Sequence, residues 1–199
     1  MKTDLLTLRY GHTCTFLVRG ISGNLLIDTD YAGTLLGFYH ALKTHGIRLN
    51  QINCMMATHY HPDHCGLIGH LQEQGIQLLL VDSQVEAVHF PDHIFVREKL
   101  DYKPVDPSKA VVISAKESRQ FLKKLGIEGE IIRTVSHSAD SVSLILDNGH
   151  CFVGDLEPRE YLEAYTAPSP PAEDWKLLMS RHPKIIHYAH MPERTVQNP

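Results

Sequence analysis

One nine-residue segment constrains the fold of this chain more than any other: Thr-His-Tyr-His-Pro-Asp-His-Cys-Gly at residues 58–66. It follows an apolar run of strand length at 52–57 and opens a stretch at 63–74 whose apolar residues recur at helical spacing. The backbone must therefore end a strand and begin a helix within a few residues. The segment thus places three histidines and one aspartate at a single strand-to-helix junction.

The spacing of those side chains predicts a metal site. His59 and His61 are two apart in extended chain, so both imidazoles point the same way. Pro62 ends the extension, and Asp63 and His64 then begin a helix that turns their side chains toward the same space. Imidazole and carboxylate together favour Zn, Fe, Ni or Mn over Ca or Mg. The alternative is a surface histidine cluster that binds metal adventitiously, but this composition would produce the pattern by chance only about 0.004 times.

The composition is typical of a globular chain. The 199 residues are 43% hydrophobic and 21% charged, which suits one sizeable domain and argues against disorder. A net charge of −4 argues against a broad basic surface for nucleic acid, and fourteen histidines indicate metal or acid–base chemistry. We therefore predict a single domain over 1–199. Residues 90–109 and 157–172 are candidate lid or insertion loops, with a dimer contact as the alternative.

The cysteines and the apolar runs bear on the compartment. Cys14, Cys54, Cys65 and Cys151 are widely spaced and form no C-x-x-C pair, which argues against a zinc knuckle or a redox dithiol. Two disulfides are open on count alone, but Cys54 and Cys151 lie in apolar strand-like runs, which favours buried free thiols. The N-terminus shows no apolar signal segment, and no run approaches membrane-spanning length. We expect a cytoplasmic protein with no membrane partner.

Strands alternate with helices along most of the chain. The predicted strands are 15–18, 25–27, 52–57, 77–81, 111–114, 130–135, 141–146, 151–153 and 185–188, and the predicted helices are 33–45, 63–74, 82–88, 116–125 and 174–181. In two places a helix, a glycine-isoleucine pair and a strand lead to a histidine, at His59 and at His137. This weak echo predicts two similar halves that face a shared site, with two sheets sandwiched between helices.

The H-x-H-x-D-H pattern at 59–64 resembles the signature of the metallo-β-lactamase superfamily. The resemblance implies an α/β fold, a four-layer αββα sandwich whose mixed sheets hold one or two metals at their edge. It also implies three later ligands, and the chain offers His137 after a strand, Asp155 in a Gly-Asp pair after the next strand, and His190 after the last strand. Asp28, at the end of an early strand, resembles the family's acidic residue that braces the metal loop.

The resemblance divides the ligands between two metals. The implied ligands are His59, His61 and His137 for the first metal, Asp63, His64 and His190 for the second, and Asp155 as the bridge between them. The chain departs from the family pattern at Ser136 and Ala189, where glycine usually precedes the third and last histidines. The implied cofactors are two divalent ions, zinc first, with iron or manganese as alternatives, in a centre like that of glyoxalase II-like or lactonase-like members.

Such a centre predicts hydrolysis. Metal binding lowers the pKa of water toward about 7, so hydroxide forms at neutral pH and can attack a carbonyl carbon, while Asp63 orients it as the catalytic carboxylate. We expect a small ester, thioester or lactone as substrate. The alternatives are a phosphodiesterase, a non-haem iron redox enzyme and a non-catalytic metal-dependent ligand-binding protein. Nucleic acid is disfavoured as a partner, and a homodimer stays open.

Three side chains outside the ligand set are predicted to contact substrate. Tyr31 and Tyr188 can each donate a hydrogen bond to an oxyanion, although packing is the commoner role for a tyrosine. Phe95 belongs to an apolar wall predicted over the metals, whose members are Phe90, Phe95, Tyr102 and Tyr165. Nine of the fourteen histidines have no assigned role.

Overall fold

The computed structural model of this chain describes residues 4–164 and 169–196. Tyr165, one member of the predicted apolar wall, lies outside the described residues. The strands and helices lie in layers, and the sequence pattern of each strand explains which layers it contacts.

Two mixed sheets form the centre. The first has the order β1 (Asp4–Leu8), β2 (Thr15–Arg19), β3 (Asn24–Ile27), β4 (Cys54–Met56), β5 (Gln77–Val81) and β6 (Val111–Ile113). The second has the order β11 (Arg194–Thr195), β10 (Ile185–His187), β9 (His150–Phe152), β8 (Val142–Leu146) and β7 (Gly129–Arg133). Strands β3 to β6 run parallel, as do β9 and β10, and the remaining neighbours are antiparallel.

Six α-helices accompany the described strands: α1 (Leu35–Thr44), α2 (Pro62–Cys65), α3 (Ile68–Glu73), α4 (Asp92–Glu98), α5 (Ser118–Lys124) and α6 (Pro170–Met179). Short 3₁₀ helices at Asp82–Ala87, Pro107–Lys109 and Ala115–Glu117 connect some of them to strands. Among the described residues, no helix has both the length and the apolar composition needed to cross a membrane.

Alternation along the strands creates three apolar layers. In β2, Phe16 and Val18 face the layer between the two sheets, whereas Leu17 faces α1 and α3 on the outside of the first sheet. On the outside of the second sheet, Ile145 and Trp175 belong to a third cluster formed with α6. Helix, sheet, sheet and helix therefore stack in that order, which confirms the predicted αββα sandwich.

The structure corrects the helix that is predicted to begin within the histidine-rich segment. A single helix over 63–74 is wrong, because the helix ends at Cys65 and a second one begins at Ile68. Gly66 lies between them, and its backbone approaches the preceding strand loop so closely that a Cβ would be 2.2 Å from the amide nitrogen of Ala32. Only glycine permits this approach, which anchors the end of α2 against the loop that follows β3.

Other differences are local. The segment at 90–109, predicted as a long loop or a partly helical insertion, contains helix α4. The predicted helix at 82–88 is instead a 3₁₀ helix over Asp82–Ala87. The strands β1 and β11 have no counterpart in the prediction, because both lie at the edges of their sheets and β11 is only two residues long. All four cysteines are buried free thiols, as expected from their apolar surroundings.

Candidate metal centre

The histidine-rich segment lies at the carboxyl end of β4, where the two sheets meet. A backbone hydrogen bond from the amide of Val142 in β8 to the carbonyl of Thr58, 2.8 Å, ties the segment to the second sheet. His59 is fully buried and His61 half-buried, and their rings lie 4.5 Å apart with an interplanar angle of 73°. The extended backbone thus presents both imidazoles on one side, as the spacing predicts.

Seven side chains from both sheets converge on this edge. Their ligand atoms form three groups, and within each group the atoms lie no more than 4.8 Å apart. The groups are His59, His61 and His137; His59, His64 and Asp155; and Asp63, His64 and His190. These are the seven residues that sequence reasoning singles out as candidate ligands, and the structure brings all of them together.

Asp155 touches both halves of the cluster with different oxygens. Its Oδ2 lies 3.9 Å from His59 Nε2 and 3.7 Å from His137 Nε2. Its Oδ1 lies 3.3 Å from His64 Nε2 and 3.2 Å from His190 Nε2. One carboxylate therefore faces two separate sets of nitrogen atoms, which is the placement that a bridging ligand needs.

Three buried polar atoms in the cluster fit a cation. Within the described part of the chain, His59 Nε2, His64 Nε2 and Asp155 Oδ1 are buried and have no hydrogen-bond partner. Buried polar atoms in native proteins are nearly always satisfied, and these three point at one another across the cluster. Two imidazole nitrogens and a carboxylate oxygen form a donor set that suits Zn, Fe or Mn, so the residues present fit a bound metal.

Electrostatics give the same picture. Burial lowers the pKa of His59 to about 2, so this ring is neutral and keeps a lone pair for a metal. Burial also lowers the pKa of His64, but the charge of Asp28 and the contact with Asp155 outweigh it and raise the value to about 10. The carboxylates of Asp155 and Asp63, both close to its Nε2, raise the pKa of His190 to about 11. In this arrangement the protons on His64 and His190 balance the negative charges of Asp28, Asp63 and Asp155, as a bound cation would.

Asp28 braces the loop from behind. It has a positive φ of 57° and is buried at the end of β3. Its Oδ1 accepts a hydrogen bond from the amide of Thr58, 2.6 Å, and its Oδ2 lies 3.1 Å from His64 Nδ1. The second contact orients the His64 ring so that Nε2 faces the cluster, as outer carboxylates do for metal-bound histidines.

A second buried carboxylate holds the same loop from the opposite sheet. Asp140 Oδ2 accepts a hydrogen bond of 2.7 Å from the amide of Tyr60. Sequence reasoning does not assign Asp140 this contact. The available signal is its place between His137 and the strand β8, at a point where the chain turns back toward the cluster.

The positions where glycine was expected are held by hydrogen bonds. The amide of Ser136 donates to Asp174 Oδ2, 2.7 Å, and the carbonyl of Ala189 accepts from the amide of Cys14, 2.7 Å. His190 Nδ1 lies 3.2 Å from the carbonyl of His12, so as a donor it leaves Nε2 to face the cluster. Neither Ser136 nor Ala189 has a positive φ, so neither position requires glycine.

Glycine is required immediately before Asp155. Gly154 has a φ of 57°, and a Cβ there would be 2.4 Å from Thr58 Oγ1. The loop after β9 thus packs directly on the histidine-rich segment. This close approach carries Asp155 into the cluster.

The three predicted substrate contacts occupy different environments. Tyr31 is half-buried, donates its hydroxyl to Glu98 Oε2 at 2.9 Å, and packs its ring on Phe95 at 5.1 Å. Phe95 itself is 0% exposed, so it supports Tyr31 and Tyr102 rather than offering a surface to a ligand. Phe90, in contrast, is half-exposed and lies 5.6 Å from the His61 ring.

Tyr188 belongs to a different part of the molecule. It is buried in the cluster beneath α6 and lines a cavity of about 530 Å³ together with Trp175 and Arg159. Burial raises the pKa of its hydroxyl to about 12. A packing role explains this position, whereas the oxyanion role predicted from the sequence has no support from the contacts of Tyr188.

Comparison with known proteins agrees with this geometry. Residues 8–190 match the family model described as the metallo-beta-lactamase superfamily. The chain belongs to this superfamily. The match includes all seven clustered side chains as well as Asp28 and Asp140.

Individual relatives are distant. The curated protein named "Probable metallo-hydrolase MJ0888" from Methanocaldococcus jannaschii is 29% identical over 141 residues, which cover 70% of this chain and 65% of that protein. The metallo-beta-lactamase family protein TTHA1429 from Thermus thermophilus superposes with a TM-score of 0.71 at 16% identity, covering 96% of this chain and 74% of its own. TTHA1623 in a di-iron-bound form gives 0.70 at 22% identity, covering 96% and 94%. At these identities the solved structures show the shared fold.

Proposed function

We propose that this protein is a dinuclear metal-dependent hydrolase of small acyl substrates. One observation carries the proposal: the two oxygens of Asp155 face two different sets of histidine nitrogens. A single metal would need only one of those sets. Membership of the superfamily and similarity to a relative named as a metallo-hydrolase support a hydrolytic activity.

We divide the proposed ligands between two metals as the family resemblance implies. The first metal takes His59, His61 and His137, the second takes Asp63, His64 and His190, and Asp155 bridges them. Zinc is the first choice of metal, because four-coordinate nitrogen and oxygen sites suit it. Iron is the alternative, and the di-iron form of TTHA1623 is an observation on a similar fold that favours it.

When bound, the two ions supply Lewis acidity and lower the pKa of a coordinated water. The protein's own groups orient and hold protons around that chemistry. Asp63 is half-buried with its Oδ2 3.1 Å from His190 Nε2, so it can hold or pass a proton at this oxygen beside the last ligand. Asp28 fixes the His64 ring, and Phe90 covers one side of His61 and limits the access of water there.

A direct test measures metals and activity together. Protein purified without a histidine tag and without added metal is analysed for bound ions, then assayed on matched esters, thioesters, lactones, β-lactams and phosphodiesters. About two zinc or manganese ions per chain with acyl hydrolysis would support the proposal. Iron with oxygen consumption would instead favour the redox alternative, and a metal-free protein without hydrolysis would contradict the proposed function.

Three further predictions concern the whole protein. We propose a small molecule as its partner, a single domain over 1–199 and a cytoplasmic location. A homodimer built on residues 90–109 or 157–172 stays a prediction, which sedimentation of the intact protein would test.

A further inference from the structure

A cavity of about 460 Å³ lies beside the candidate metal centre, at His61. Ser138, directly after the ligand His137, also lines it, so the cavity borders the first set of ligands. Its volume falls within the usual range for small-molecule sites. A substrate whose acyl group reaches the metal centre can therefore place another part of its structure in this space.

Two carboxylates line the cavity, and one of them has no hydrogen-bond or ion-pair partner among the described residues. Asp140 is committed to the amide of Tyr60, and His89 Nδ1 is paired with Asp92 at 2.9 Å. Glu86 is exposed on the cavity wall, and its carboxylate makes no hydrogen bond or ion pair with the residues that the structure describes. None of the described residues that line the cavity is Lys or Arg. Apart from the metal proposed at His61, the Glu86 carboxylate is therefore the unpaired charge that these lining residues offer to a bound molecule.

The remaining wall is apolar. The Phe90 ring is 51% exposed and lies against His61, and Ala87 lies one residue after Glu86 on the same 3₁₀ helix. An exposed aromatic ring close to an unpaired carboxylate is the combination that recognises ammonium groups, through cation–π attraction and direct charge pairing. An anionic group in this cavity would be repelled by Glu86 and would find no Lys or Arg among the described lining residues.

We propose that this cavity binds an ammonium-bearing arm of the substrate, with Glu86 as the residue that determines the specificity. The inference rests on the proposed function, because it assigns the remote part of the same acyl substrate. It narrows the substrate class to esters, thioesters or lactones that carry a primary to quaternary ammonium group.

Binding is tested first, independently of turnover. Saturation-transfer NMR on the metal-loaded full-length protein uses choline as the probe and 3,3-dimethylbutanol as its neutral isostere. We expect binding of choline at millimolar concentration, at least tenfold weaker binding after Glu86→Gln, and no change after Glu128→Gln. Glu128 is an exposed carboxylate just before β7, at the end of that strand opposite His137, so its variant removes the same charge elsewhere. Absence of choline binding, or equal binding by Glu86→Gln, would overturn the inference.

Kinetics then separate this inference from the proposed function. Acetylcholine and 3,3-dimethylbutyl acetate differ in one atom, a charged quaternary nitrogen in the first and a neutral carbon in the second. We expect a several-fold lower KM for the charged ester with similar kcat, and loss of this difference in Glu86→Gln while the neutral ester is unaffected. Hydrolysis of both esters with equal KM would overturn the ammonium site and leave the hydrolase standing. Binding of choline without hydrolysis of any acyl substrate would contradict the function instead, and with it the assignment of the cavity to an acyl substrate.

Discussion

The inner and outer histidines of the candidate metal centre differ in their solvent exposure and in the part of the chain that supplies them. The inner pair, His59 and His64, comes from the histidine-rich segment at 58–66 and has side chains that are 1% and 0% exposed. The outer pair, His137 and His190, comes from the second sheet and is 30% and 39% exposed. Each proposed metal takes one inner and one outer histidine. The inner pair therefore forms the buried base of the site, while the outer pair lies on its solvent side.

Removing a ligand that belongs to one metal should have the largest effect. Asp63→Ala should lose the second metal and nearly all hydrolysis, because Asp63 contacts His190 while the first set of histidines is unchanged. Metal analysis and esterase assays on the same preparation measure both effects. Asp82→Ala, an exposed aspartate at the start of a 3₁₀ helix, is the control. Full activity in Asp63→Ala would contradict the mechanism.

The two buried carboxylates that hold the loop provide a finer comparison. Asp28→Asn should weaken metal affinity about 10–100-fold, because an amide would place a donor against His64 or Thr58. Asp140→Asn should weaken the free energy of metal binding by only about 1 kcal/mol, because the amide oxygen can still accept a hydrogen bond from the amide of Tyr60. Chelator competition measures the affinities. Equal losses in the two variants would show that the contact with His64 is not what distinguishes them.

The second sheet should respond to pH through a histidine that is not a candidate ligand. Burial, with a smaller contribution from His150, lowers the pKa of His187 to about 4, whereas an unfolded histidine titrates near 6.5. The unfolded chain therefore binds the proton first. Folding stability should be full above pH 6.5 and fall as the pH drops toward 4, by about 3 kcal/mol at most.

The variant His187→Phe isolates this effect, because phenylalanine keeps the ring that stacks on Phe152. Urea unfolding between pH 4 and 7, with chelator present in every sample, should give a flatter profile for the variant. Profiles of the same slope for both proteins would mean that His187 titrates normally in the folded state.

The smallest effect is expected at the mouth of the site. Tyr31→Phe removes one exposed hydrogen bond to Glu98 and keeps the ring packed on Phe95, so stability should change by less than about 1 kcal/mol. KM should rise a few-fold with little change in kcat if Tyr31 only positions α4. A large fall in kcat would place its hydroxyl at the reacting atoms.

The candidate ligands can be predicted from the sequence where their spacing is local. His59, His61, Asp63 and His64 are held by one strand, one proline and one helix start, and these signals lie in adjacent residues. His137, Asp155 and His190 are assigned through the family resemblance, since nothing local joins residues so far apart. Their placement depends on the pairing of β7 to β10, which a single sequence does not specify.

The contacts that hold the ligands could not be predicted in the same way. Asp140 and Asp174 each accept a hydrogen bond from an amide distant in sequence, and a carboxylate's partner depends on the packing of two sheets. Phe95 is predicted to line the site, but it is buried against Tyr31 and Tyr102. The sequence alone does not show which side of α4 packs against the rest of the protein. It places residue 66 within a helix because helical periodicity takes no account of a close backbone approach from another strand.

The hydrogen bond from Cys14 to Ala189, together with the contact between His12 and His190, joins an early turn to the residues around the last ligand. These contacts close a loop of nearly the whole chain, which carries a high entropic cost during folding. The complete ligand set can exist only after both sheets have formed and docked. Metal affinity in this protein is thus a measure of global folding, and a mutation far from the cluster that opens this loop should be detected first as lost metal.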